Sequence, residues 1–223
     1  IAGFDTRLDC FAFPGSARGG LALTIPFLLI GSFALIIMSF PVPAYQHFMT
    51  HFFGDGWTEP LRTVYRGSFG VLSLIMALTV SYSYAGDIDR GRNIFNPMIA
   101  AVVSLCSFLA LSGIGSGSFA LESLGVTGLF TAIIAAAIST RIFVSLCSVR
   151  KLRIRTYADG AHTSFNEATA ALFPALITIT IFVITHELIS RLFGISSFQL
   201  FVSGHLVSLF HAMGPSPASA LLF

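Results

Sequence analysis

From Leu21 to Phe40 the chain runs for twenty residues without an Asp, Glu, Lys or Arg. Four more such runs follow: Ser68 to Tyr84, Pro97 to Ile114, Leu124 to Thr140 (extending to Val149 if Arg141 lies near its end), and Ala168 to Thr185. A bilayer core about 30 Å thick takes roughly 20 apolar residues of helix, at a rise of about 1.5 Å each. Each run is apolar around its whole circumference, which is the pattern of a lipid-embedded bundle and not of an amphipathic soluble helix. No alternating strand pattern competes. The expected fold class is an all-α integral membrane protein with about five transmembrane helices, an interfacial helix and the start of a sixth span.

Charge supports this reading. The 223 residues include 12 Lys and Arg and 10 Asp and Glu, 55% are hydrophobic, and the formal net charge is +2. A soluble chain of this length would carry about 55 charged side chains. The shortage excludes a soluble enzyme and a disordered tail, and it leaves no basic surface to neutralise phosphates, so nucleic acid is not an expected partner. The lipid bilayer is. Cys10, Cys106 and Cys147 are too scattered for a disulfide framework or a metal spacing and read as small apolar residues.

The first run lies behind some twenty residues and lacks a small-x-small exit before Pro41, so it reads as a retained span and not a signal peptide. If spans alternate, Arg7, Arg18, Arg90, Arg92, Arg141, Arg150, Lys151, Arg153 and Arg155 share the N-terminal side. Only Arg62, Arg66 and Arg191 lie opposite, which places the N-terminus in the cytoplasm. Residues 1–20 are then a cytoplasmic segment, 21–185 a five-span domain, 186–216 an interfacial linker interrupted by Gly and Pro, and 217–223 the start of a further span. The chain is expected to be a piece of something longer.

Lipid provides no hydrophobic drive for helices to associate, so small residues at every fourth position mark close backbone approach. Gly128, Ala132, Ala136 and Thr140 form such a row, facing either a neighbouring helix or a second copy. Across a dimer, a bulky residue at Ala132 or Ala136 would weaken self-association. Pro26 and Pro174 fall inside spans and remove backbone donors there. Trp57 with Tyr45, and Tyr82 with Tyr84, suit interface anchors at the two membrane surfaces. His47, His51 and Asp55 have a metal-ligand spacing, but Pro41, Pro43, Gly54 and Gly56 around them favour a solvated loop, and no metal is expected. The Gly113 to Gly117 stretch lacks the Lys and Ser/Thr of a phosphate loop and reads as a connection. No catalytic set and no cofactor motif emerges. Ionisable groups near span ends remain: His162 and Glu167 as candidate substrate contacts, and Glu187 with Arg191 as an i, i+4 pair.

The string TIPFLLIGSFALIIMSFPVPAY, the Trp57 loop and GSFGVLSLIMALTVSYSYA together resemble the start of enzyme IIC, the membrane component of bacterial phosphotransferase-system sugar transporters of the lactose/cellobiose/diacetylchitobiose type. NPMIAAVVSLCSFLAL and GVTGLFTAIIAAAISTRIF are similar to that family's third and fourth spans. Asp159, Gly160, Ala170, Ala171, Leu172 and Pro174 match the family's loop into span five, whereas Ala158, Ala161, His162 and Thr163 replace its prolines and valine, and Thr169 its usual Phe. The resemblance covers the chain from about Pro14 but only the first half of the family's length.

It implies a homodimer in a bacterial inner membrane whose first five spans form the scaffold, with the sugar carried by later helices. The family's substrate His and Glu lie in that second half, so no catalytic or sugar-binding residue transfers to this sequence. The resemblance also implies a cytoplasmic enzyme IIB partner, for which Arg150, Lys151, Arg153 and Arg155 form a basic candidate docking loop. Two functions are expected to compete. One is the scaffold half of a permease that takes up a β-linked disaccharide-type sugar and phosphorylates it. The other is a sensor whose membrane module controls a fused signalling domain.

Overall fold

The computed structural model describes residues 6–89, 95–113, 124–149, 152 and 163–193, and every regular element among them is helical. The chain forms α1 (Thr6–Met38), α2 (Pro43–Phe53), α3 (Thr58–Ser68), a 3₁₀ turn (Phe69–Val71) and α4 (Leu72–Asp89). It continues as α5 (Pro97–Leu111), a 3₁₀ turn (Val126–Gly128), α6 (Leu129–Ser148) and α7 (Thr163–Phe193). Among the described residues, four stretches are long and apolar enough to cross a membrane: Phe13–Met38, Thr58–Asp89, Val126–Ser148 and Asn166–Leu192.

α4 is the centre of the bundle. It packs against α1 on one side and against α5 and α6 on the other, while α7 covers α5 and α6 and α3 lies along α1. Two apolar clusters hold the layers together. Met76, Val80, Phe108, Ala132, Ala136 and Phe182 share one, and Ala85, Val103, Phe143, Val144, Cys147 and Ala171 belong to the other. Away from these contacts α1 turns Leu23, Ile25, Leu29, Ile30, Phe33 and Ile36 outward, as a helix in lipid does.

The boundaries differ from the sequence expectation in several places. α1 begins at Thr6, inside the segment 1–20 expected to precede the span, because a helix on α4 needs a packing stripe and not a charge-free run. That stripe is Ser16, Gly20, Thr24, Gly31 and Ala34, all buried. Residues 43–53, expected as loop, are helical because Pro43 stands at the first turn, where its fixed φ favours a helix and its missing N–H costs nothing. α5 stops at Leu111, three residues before the expected Ile114, where Gly113 takes a left-handed φ of 73°. At its other end the Asn96 side chain accepts the Met98 N–H and Pro97 opens the helix. α5 has 15 residues, about 22 Å of helix, which falls short of a span by itself. Finally, α7 runs from Thr163 to Phe193, so His186 to Arg191 are its last turns and not the start of a linker.

Several buried serines and threonines find hydrogen-bond partners inside the bundle, although the Thr131 hydroxyl on α6 has none among the described residues. Ser81 on α4 donates to the Ala100 carbonyl at 3.1 Å and shares a hydrogen bond of 2.6 Å with Thr140 on α6. Ser73 donates to the Leu124 carbonyl at 2.5 Å, and Ser104 reaches the Ala77 carbonyl at 3.3 Å. Interhelical bonds of this kind average about 0.6 kcal/mol in membrane proteins and reach about 1.7. Thr140→Val should therefore destabilise the detergent-solubilised protein by about 1 kcal/mol, and Ser81→Ala combined with it should cost less than the sum of the two. Strict additivity in chemical denaturation would contradict the pairing.

Candidate functional site

The small-residue row of α6 faces the inside of its own chain. Ala132, Ala136 and Thr140 have no exposed surface, and Gly128 is buried as well. Ala132 and Ala136 pack with Met76 and Val80 of α4 and Phe108 of α5, and Thr140 meets Ser81. A second row lies along α1, where a Cβ built at Gly20 falls 2.5 Å from the Val80 Cα. Ser16, Gly20 and Thr24 stand four residues apart, the same signal as in α6.

Polar contacts gather at the end of the bundle where α4 stops and α5 begins. Ser16 of α1 donates to Asp87 of α4 at 2.5 Å. Asn96, besides capping α5, donates from Nδ2 to Glu167 Oε2 on α7 at 3.1 Å. Glu167 is exposed and ties α7 to the start of α5, whereas His162, the other candidate substrate contact, lies outside the described residues. So do Arg150, Lys151, Arg153 and Arg155, and so do residues 114–117 of the connection after α5. Tyr84 is 2% exposed and packs edge-on against Phe13, so it is a core residue and not the interface anchor expected of it. Tyr82 is exposed.

At the other end Trp57 and Tyr45 meet edge to face with centroids 6.0 Å apart, and Phe40 packs on Tyr45. His47 and His51 are exposed on α2, and among the described residues no three of His, Cys, Asp and Glu come together as metal ligands. Glu187 and Arg191 pair at 2.9 Å on the exposed end of α7. Sequence reasoning passed over α3, whose Glu59, Arg62 and Arg66 occupy one side. The signal was the spacing of three and four between them.

An open groove of about 480 Å³ runs between α1 and α6, lined by Phe13, Tyr84, Ile138, Arg141, Ile142 and Leu146 among others. A smaller cavity of about 120 Å³ lies among Leu111, Ala135, Ile138 and Phe182. Both are largely apolar. A sugar needs several convergent donors and acceptors for its hydroxyls, which neither supplies.

The comparisons agree with that architecture. The crystal structure of the transporter ChbC, the IIC component of an N,N'-diacetylchitobiose-specific phosphotransferase system, superposes with a TM-score of 0.79 at 27% identity, over 93% of this chain and 49% of that one. The lichenan permease IIC component of Bacillus subtilis (strain 168) is 28% identical over 176 residues, which cover 73% of this chain and 37% of the relative. The cellobiose-specific EIIC component of Geobacillus stearothermophilus is 26% identical over 219 residues, 92% of this chain and 47% of the relative. The chain therefore spans less than half the length of each of these relatives. The family model for phosphotransferase system EIIC matches residues 18–223, and the chain belongs to that family.

Proposed function

We propose that this chain is the scaffold half of an EIIC sugar permease that takes up a β-linked disaccharide-type sugar and couples its passage to phosphorylation. The observation that carries the reading is the superposition on ChbC, which extends over nearly the whole chain. The relatives are named as lichenan, cellobiose and diacetylchitobiose components, which points to β-linked glucose- or glucosamine-type sugars. Those relatives are transport components, and that favours transport over the sensing alternative.

In this reading the α4–α5–α6 seam stays fixed while the rest of the protein handles sugar. Its partners are the lipid bilayer, a second copy of the chain, and a cytoplasmic enzyme IIB that approaches the basic stretch from Arg150 to Arg155. Since the α6 row is occupied within one chain, a dimer would use exposed helix faces. His162 and Glu167 remain candidates near the cytoplasmic end, with Glu167 acting first as the tie between α7 and Asn96. The excess of basic residues on the N-terminal side supports a cytoplasmic N-terminus. Alkaline phosphatase fused in the Arg150 loop should accordingly be inactive, and fused at the Gly54 to Gly56 turn active; the reverse pattern would invert the topology.

Binding of labelled cellobiose and diacetylchitobiose to the purified full-length protein tests the substrate class. Saturable binding displaced by the unlabelled sugar is expected. Binding of neither, with lactose also failing, would contradict it.

A further inference from the structure

α3 carries charge at a depth where its neighbour α1 is apolar. Glu59, Arg62, Thr63 and Arg66 stand at i, i+3, i+4 and i+7 and are all exposed, while Leu61, Tyr65 and Ser68 on the other side are partly or fully buried. The register with α1 is set at Gly31, where a Cβ would run into the Ser68 hydroxyl and the Phe69 ring. Gly20 meets Val80 farther along, so the two sides of the contact run antiparallel. Counting back from Ser68 at about 1.5 Å per residue, Arg66 lies about 3 Å, Arg62 about 9 Å and Glu59 about 13 Å beyond the Gly31 level. These levels match α1 from about Phe33 to Phe40, where Phe33 is 62% and Ile36 57% exposed.

The other membrane boundary fixes the scale. Arg18 is the exposed charge at the opposite end of the α1 span. A hydrocarbon core about 30 Å thick, measured from it, takes about twenty residues of helix and ends near Met38. Thr63 and Arg66 thus stand within hydrocarbon depth, Arg62 at its edge and Glu59 just beyond it. A charge in lipid is costly, roughly 2.5–3.5 kcal/mol for Arg at the bilayer centre and less toward the edge, where a long side chain can reach out of the hydrocarbon. The Arg62–Glu59 pair, 3.3 Å apart with side chains 47% and 68% exposed, is too open to offset that. Lipid suits α1 at this depth, and water suits α3.

We propose that the Glu59–Arg62–Thr63–Arg66 face of α3 lines a water-filled vestibule, opening on the side of the membrane opposite the N-terminus, through which a neutral polyhydroxylated solute reaches the protein. Guanidinium donors and a carboxylate acceptor suit hydroxyl groups and leave the passage wet. The solute rests on the permease reading above; the water does not.

Impermeant thiol labelling of the full-length protein separates the two. In a background without native cysteines, Thr63→Cys and Arg66→Cys are compared with Phe33→Cys and Ile36→Cys at matching depth on α1, using a charged methanethiosulfonate added to intact cells. The α3 cysteines should react at least about tenfold faster, since water reaches one face and lipid the other. Slow reaction at all four positions would overturn the vestibule, as it would if lipid, a second copy or another part of the protein covered α3. Fast reaction at all four would overturn the depth argument. Saturating cellobiose or diacetylchitobiose should slow the reaction at Thr63→Cys by a few-fold. Fast labelling that no β-linked disaccharide alters would keep the water path and remove the sugar from it.

Discussion

Gly20→Leu is expected to prevent the chain from accumulating as a folded bundle, whereas Gly15→Ala should be neutral or mildly stabilising. A Cβ at Gly20 would stand 2.5 Å from the Val80 Cα and 2.8 Å from its nitrogen, both of them backbone. Val80 is fully buried on α4, which α5 and α6 press from the other side, so it has nowhere to retreat. Overfilling a packed core costs about 1–3 kcal/mol even for small additions, and a leucyl side chain against backbone should exceed about 3 kcal/mol. At Gly15 an added Cβ meets nothing within 4 Å, and replacing a helical glycine by alanine gains up to about 1 kcal/mol. Thermal melting of the two variants in detergent checks the contrast. A Gly20→Leu protein as stable as the parent would contradict the α1–α4 packing.

Ala136→Phe should likewise unfold the single chain instead of merely separating two copies. Ala136 has no exposed surface and shares a cluster with Met76, Val80 and Phe108. A phenyl ring in that space should cost more than about 3 kcal/mol. Light scattering coupled to size exclusion distinguishes the outcomes. Low yield and aggregation are expected. A well-folded protein of halved mass would show instead that the row belongs to an interface between copies.

The spacing of Gly128, Ala132, Ala136 and Thr140 told that some backbone comes close, because only small residues allow it. Which helix comes close is a property of the whole bundle and was not legible in one segment. The same spacing at Ser16, Gly20 and Thr24 was available in the sequence, yet Arg18 interrupts the charge-free run and hides the row from a search for spans. α3 was missed for a related reason. A helix that buries only Leu61, Tyr65 and Ser68 has an apolar stripe and not an apolar circumference, and Glu59, Arg62 and Arg66 break any run of hydrocarbon length. At Pro43 the error was one of position, since proline ends helices in their interiors but begins them at the first turn. The apolar lengths of α1, α4, α6 and α7 were legible because burial in lipid is set by length and charge alone. Tyr84 was misplaced because the same aromatic residue suits a membrane surface or a core, and only its contact with Phe13 decides between them.

The scaffold reading stands or falls on transport by the complete protein. The most direct measurement is phosphoenolpyruvate-dependent uptake of labelled cellobiose, diacetylchitobiose and lactose by cells carrying the complete native gene, with and without the general phosphotransferase proteins. At least one of these sugars should accumulate in phosphorylated form, and only when those proteins are present. Failure of well-expressed protein to take up any of them, or accumulation of unmodified sugar without those proteins, would contradict a group-translocating permease.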